Sequence, residues 1–201
     1  YKLEAGQSVQ AVTYAPPFSR RVDSNAALSG GNIMGRWTRV FSEGNEISVQ
    51  AFYDRTNRLE ANFGENRDTA DIDFIQRSRL PARQQFLWGL GARVSNGRAT
   101  EVVSGLTFDP LHRTDSLLTG FVQDEFELVR QKLSLSLGSK ILRTNFTGVQ
   151  FEPSVRLLWT PTTRQTFWTA FTRAVRTPSR AERDFSLSGY IATTADGLPF
   201  I

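Results

Sequence analysis

The chain has 201 residues, a formal net charge of +4 and a pI near 9.8, and 39% of its residues are hydrophobic. That length suffices for one domain with a sizeable core, but no apolar run of about 18 to 20 residues is present, which excludes a membrane-crossing helix. Cysteine is absent and histidine occurs once, at His112, which excludes a disulfide framework, a thiolate metal centre, a cysteine nucleophile and a histidine-rich metal site.

Low average hydropathy does not exclude a membrane protein. A membrane-spanning strand needs only about 9 to 11 residues, every second one apolar. Tyr1-Lys2-Leu3-Glu4 lacks the basic segment and apolar run of a signal peptide. We expect a piece of a longer exported protein.

Period-2 alternation predicts nine strands, at 1–13, 30–41, 46–59, 68–80, 83–95, 115–128, 132–143, 150–160 and 165–175. From Glu46 to Asp54, Ile47, Val49, Ala51 and Tyr53 share one face, and Glu46, Ser48, Gln50 and Asp54 the other. Between Asp71 and Leu80, Ile72, Phe74 and Leu80 oppose Asp71, Asp73, Arg77 and Arg79. Phe86, Trp88, Leu90, Ala92 and Val94 form a further apolar face. In Lys132 to Gly138 the leucines occupy odd positions and serines the even ones. In Phe151 to Trp159 the apolar face is Phe151, Pro153, Val155, Leu157 and Trp159. Ten residues at about 3.3 Å each reach roughly 33 Å, which suits a bilayer core.

Short links at Ser42–Asn45, Pro81–Ala82, Val129–Gln131 and Pro161–Arg164 alternate with longer ones at 14–29, 60–67, 96–114, 144–149 and 176 onward. Short turns on one rim and longer loops on the other characterise an up-and-down transmembrane barrel. The expected fold is therefore all-β, a partial antiparallel barrel of about nine or ten strands, in a single domain over 1–201. Aromatics near strand ends, such as Trp37, Phe41, Trp159 and Trp168, suit interfacial girdles and equally suit ordinary packing.

Chemistry-bearing clusters are sparse. Asp124 points away from Glu125 and Glu127 on a strand, which speaks against a converging carboxylate pair. Asp68, Asp71 and Asp73 lack the glycine and closing glutamate of a calcium loop. No glycine run is followed by the Lys-Ser/Thr of a phosphate-cradling loop. No catalytic residue, metal site or cofactor is expected. Arginines are spread along the chain rather than clustered, which argues against a nucleic-acid face. On the presumed external loops, Arg20, Arg21, His112, Arg113, Arg176 and Arg180 are the candidates to meet an anionic ligand; for each, simple solvation is the competing reading.

Two segments resemble a known family. Gly120-Phe121-Val122-Gln123-Asp124-Glu125-Phe126, a short turn, and Leu133-Ser134-Leu135-Ser136-Leu137-Gly138-Ser139-Lys140 are similar to a strand pair of TonB-dependent outer-membrane receptors. There an aromatic-x-Gln-Asp-x-aromatic strand precedes a Leu-x-Leu-x-x-Gly-x-Arg strand; here Lys140 replaces the arginine. Phe151-Glu152-Pro153 through Trp159-Thr160-Pro161, then Thr169 to Ser179, resembles the family's Pro-arginine strand, Trp-x-Pro turn and aromatic-x-Arg-Ala-aromatic-Arg-x-Pro-Ser strand end. The matching residues are Pro153, Trp159, Pro161, Arg173, Arg176 and Pro178, with Val175 in place of the second aromatic.

The resemblance implies a barrel of about twenty-two strands around a plug domain. It implies a bacterial outer-membrane location, lipopolysaccharide contacts and import of a scarce ligand such as a ferric siderophore, powered by TonB through the plug. Neither plug nor TonB box is recognisable here. Gln123, Asp124, Arg173 and Arg176 are expected to serve barrel architecture. Two alternatives remain at this point: a complete small barrel acting as porin or adhesin, and a soluble carbohydrate-binding β-sandwich.

Overall fold

A computed structural model of the chain describes residues 1–12, 19–61, 63–100 and 106–187. Nine antiparallel strands form one sheet: β1 (Lys2–Val12), β2 (Ser19–Ser42), β3 (Asn45–Leu59), β4 (Gly64–Leu80), β5 (Gln84–Thr100), β7 (His112–Val129), β8 (Leu133–Thr144), β9 (Gly148–Thr162) and β10 (Gln165–Thr172). Each pairs with the preceding one, β7 pairing with β5. The omitted β6 (Leu106–Phe108) pairs instead with β11 (Phe185–Leu187), which follows a one-turn helix, α1 (Arg180–Asp184). The fold is thus the wall of an up-and-down antiparallel barrel, with β1 and β10 as its edges among the described residues.

The register turns the alternation into two continuous surfaces. Trp37, Val49, Phe74, Leu90, Gly120, Ile141 and Phe151 lie side by side across seven strands on one face. The adjacent row on the other face is Arg36, Gln50, Asp73, Gly91, Thr119, Leu142 and Gln150. The apolar face is open to the surroundings: Ile33 is 71% exposed, Leu90 58% and Phe171 72%. A water-soluble monomer does not carry an apolar surface of this extent. The buried hydrophobic residues are only Ala61, Ala99 and Leu142 among those described. A β-sandwich needs two sheets with interdigitated inner faces, and here the second sheet has two short strands. The single-layer architecture overturns the sandwich alternative.

The short turns expected from sequence all fall on one rim. At Glu43–Gly44 the φ of +77° at Gly44 is one that side chains disfavour. Asn45 pins this turn by donating to the Ser42 hydroxyl at 2.6 Å and accepting from the Arg79 backbone at 2.9 Å.

The opposite rim differs from expectation. The links at 14–29, 60–67 and 96–114 are largely strand: β2 begins at Ser19, β4 at Gly64, and β5 runs to Thr100 before β7 starts at His112. At 24 residues β2 reaches roughly 80 Å along its axis, far more than a bilayer core requires. The added length carries polar residues on both faces, so hydrophobic alternation stops while backbone pairing continues. Two further differences are that β10 ends at Thr172 and that the stretch after 176 contains α1 and β11.

Candidate functional site

The densest constellation of charged side chains sits where the chain returns after β10 onto the inner, polar face of the wall. Ser179 starts α1 with a reciprocal cap: its hydroxyl accepts from the Glu182 backbone at 3.3 Å, and the Glu182 carboxylate accepts from the Ser179 backbone at 2.7 Å. Arg176 also pairs with Glu182. The Ser179 backbone N–H, then Arg176 and the Ser179 hydroxyl, hold the Glu182 carboxyl below the usual glutamate range.

From this turn Arg180 reaches inward, with its side chain 7% exposed. It donates to the carbonyls of Pro110 and Leu111 at 2.9 and 2.7 Å, lies 3.7 Å from both Glu65 and Asp184, and covers the Phe108 ring. Burial pushes Arg180 below the ordinary arginine value, while Glu65 and Asp184 oppose that shift. Gly97 lies beneath it: a Cβ there would stand 3.1 Å from an Arg180 terminal nitrogen, a tight contact.

Asp184 meets Arg113 of β7 at 2.6 Å, and Arg183 meets Asp115 at 3.0 Å while lying over the Phe146 ring. Phe63, Phe108 and Phe185 pack in sequence, the first pair tilted and the second edge to face, with centroids 5.3 and 5.8 Å apart. Beside Phe63 and Phe108 opens a cleft of about 440 Å³, lined also by Glu65, Arg67, Phe146, Arg180 and Arg183 among others. Such a lining combines aromatic planes with paired charges, and it suits a small ligand carrying rings and an anionic group.

The five arginines and one histidine expected on external loops are distributed unevenly. Arg113 and Arg180 come together around Asp184, and Arg176 sits at the outer side of α1. Arg113 belongs to β7 rather than to a loop. His112 is the first residue of β7, on the opposite, outward face, where its Nε2 lies 2.9 Å from the Asn96 side chain. Arg20 and Arg21 belong to β2; Arg21 pairs with Asp23 at 3.1 Å, and the Arg20 side chain lies outside the described residues. The relocation has one cause: strand pairing persists into polar sequence.

Of the motif residues, Gln123 faces inward and Asp124 outward, where Asp124 accepts from the Gln84 side chain. Pro153 and Trp159 lie on the apolar face of β9, Pro161 near its end, and the Arg173 backbone bonds to the Pro153 carbonyl at 3.1 Å. Pro178 and Ser179 border the cleft. Glu65, Asp115, Arg183 and Asp184 were not singled out from sequence; the one readable signal was Ser179-x-x-Glu182, a capping box. Asp68 faces outward, away from Asp71 and Asp73, and no cluster of three His, Asp or Glu among the described residues is arranged to hold a metal ion.

No family model matches the sequence, and no curated protein matches it. Among solved structures the chain is similar to the siderophore receptor PirA from Pseudomonas aeruginosa, with a TM-score of 0.57 at 18% identity over 89% of this chain. The match spans 35% of that receptor, so this chain corresponds to about a third of its length. At this identity the likeness concerns the fold: the nine-stranded wall is built as part of an outer-membrane receptor barrel is built.

Proposed function

We propose that this chain is part of the barrel wall of a bacterial outer-membrane receptor that imports a scarce nutrient, a ferric siderophore, with energy relayed by TonB. One observation carries the membrane placement. On β5 the outward residues between Gln84 and Asn96 are Phe86, Trp88, Leu90, Ala92 and Val94. The five span roughly 26 Å along the strand, and their polar limits, Gln84 and Asn96, stand roughly 40 Å apart, which a tilt near 40° reduces to about 30 Å, the thickness of a hydrocarbon core. No helix among the described residues is long and apolar enough to cross a membrane, and the strands supply the crossing.

The inner face supports the receptor part of the reading. Arg36 with Gln50, Arg93 with Asp71, and Glu46 with Arg77 furnish a polar lining on which a plug domain would dock. The plug would carry the contact to TonB. Above this lining the cleft beneath α1 opens at the rim of the longer links, where a ligand from outside arrives. Arg176, exposed beside α1 and paired with Glu182, is the candidate to touch it; Arg113 and Arg180 position α1. The likeness to a siderophore receptor and the two family-like strand pairs favour a ferric chelate as that ligand.

The test is made in cells that produce the protein. Membrane fractionation is expected to place it in the outer-membrane band, and labelled ferric chelates are expected to accumulate only when both this protein and TonB are present. Recovery in the soluble fraction would refute the membrane placement. Accumulation indifferent to the protein or to TonB would refute the transport reading.

A further inference from the structure

The two guanidiniums that α1 sends into the cleft are only partly used. Arg180 Nη2 donates to the carbonyls of Pro110 and Leu111, and Arg183 Nη2 donates to Asp115 at 3.0 Å. The Nε and Nη1 atoms of both residues are buried and donate to nothing among the described residues. Glu65 and Asp184 stand 3.7 Å from Arg180, beyond hydrogen-bonding reach. The two side chains are 7% and 15% exposed, so bulk water does not take up these donors. Arginine does not relieve such a deficit by losing its proton. The surrounding charges are unequal as well. Arg67, Arg113, Arg180 and Arg183 face Glu65, Asp115 and Asp184, four guanidiniums against three carboxylates, which leaves one positive charge in excess in this group. Each carboxylate is already engaged: Glu65 by Arg67 at 2.6 Å, Asp115 by Arg183 at 3.0 Å and Asp184 by Arg113 at 2.6 Å.

We propose that one small inorganic anion, chloride or dihydrogen phosphate, resides in this cleft between Arg180 and Arg183. Residues three apart lie on the same side of a helix, with Cβ atoms about 5 to 6 Å apart, and both guanidiniums border the same cleft. The Phe108 and Phe146 rings cover one flat face of Arg180 and Arg183 respectively. The N–H groups in the guanidinium planes are therefore the ones left for a ligand. An anion there accepts from donors that the fold leaves unmet, and its single charge cancels the excess. It would tie α1 and β11 more firmly to β6 and β7. This inference goes beyond nutrient import, because it concerns how the returning segment is held and stands whether or not a ligand enters the cleft from outside.

The experiment uses the intact protein in detergent, dialysed into a zwitterionic buffer free of small anions. Sodium chloride, phosphate and citrate are titrated in separately, and hydrogen exchange is followed at the amides of α1, β6 and β11. Chloride or phosphate at about ten times its dissociation constant is expected to slow exchange there about tenfold, and to leave β3 unaffected. Screening of the ion pairs acts with the opposite sign, so a general salt effect does not imitate this result. Arg183→Gln is expected to abolish the anion dependence, and Arg143→Gln, on the outer face of β8, to keep it. Should Arg183→Gln loosen α1 outright, calorimetric titration of the unaltered protein carries the test, with a saturable heat of binding expected for chloride or phosphate. Exchange indifferent to both anions, with no saturable heat, would overturn the proposal and leave the free donors to water. Protection by citrate alone would overturn the inorganic assignment and give the site to an organic carboxylate. Anion dependence retained in a folded Arg183→Gln variant would overturn the placement between the two arginines.

Discussion

Arg113 and Asp184, 71 residues apart in sequence, meet with the Arg113 Nε 2.6 Å from Asp184 Oδ2. Arg113 stands on the inner face of β7 and Asp184 closes α1, so this pair ties the returning chain to the wall. The Asp184 side chain is 3% exposed. Asp184→Asn leaves Arg113 and Arg180 beside a neutral amide, and breaking a pair at this depth costs about 3 kcal/mol. The expected result is local: hydrogen exchange at the β6–β11 amides accelerates on the order of a hundredfold, while β5 and β7 are unaffected. Unchanged exchange would show that the Phe63–Phe108–Phe185 cluster holds the segment without the ion pair.

The cap of α1 is pH-sensitive. Glu182 has a folded-state value below its unfolded one, so its contribution is complete above the ordinary glutamate value of about 4.3 and is lost as pH falls through the lower folded value. Amides of α1 are expected to lose protection as pH is lowered through that window. Glu182→Gln, which keeps an acceptor but no charge, should remove most of this dependence. A variant with the wild-type pH profile would assign the effect to another carboxylate.

The outward face of β5 carries a depth prediction. Leu90 lies midway between Gln84 and Asn96 on the outward face. Leu90→Arg is expected to destabilise the folded barrel in lipid by about 2 to 4 kcal/mol, and Asn96→Arg by about 1 kcal/mol or less. Denaturant titration in lipid vesicles measures both. Equal costs at the two positions would contradict the placement of the band.

Glycines divide by face as well. A Cβ at Gly89 would come within 2.6 Å of both the Phe121 ring and the Phe74 carbonyl, whereas at Gly35 it meets nothing within 4 Å. Gly89→Ala must displace backbone and is expected to cost about 2 kcal/mol. Gly35→Ala, on the outward face, is expected to be near neutral. Thermal unfolding followed by heat-modified gel mobility distinguishes them.

The outward and inward surfaces were legible in the sequence because side-chain direction alternates with a period of two, a local property of any strand. Leu133 to Leu137 and Phe151 to Trp159 therefore revealed their faces without knowledge of their partners, and the four short turns followed from where alternation broke. The strand extensions from Ser19, from Gly64 and to Thr100 were hidden because outside an apolar layer both faces are polar, and pairing then leaves no trace in hydropathy. The union of Arg113, Arg180 and Asp184 was hidden for a different reason. It depends on where the chain after β10 returns, which the pairing of β6 with β11 fixes. Sequence by itself determined the strand period, the faces and the class of fold; only the tertiary structure decided which distant charges, such as Arg113 with Asp184 and Arg183 with Asp115, neutralise one another on the inner face.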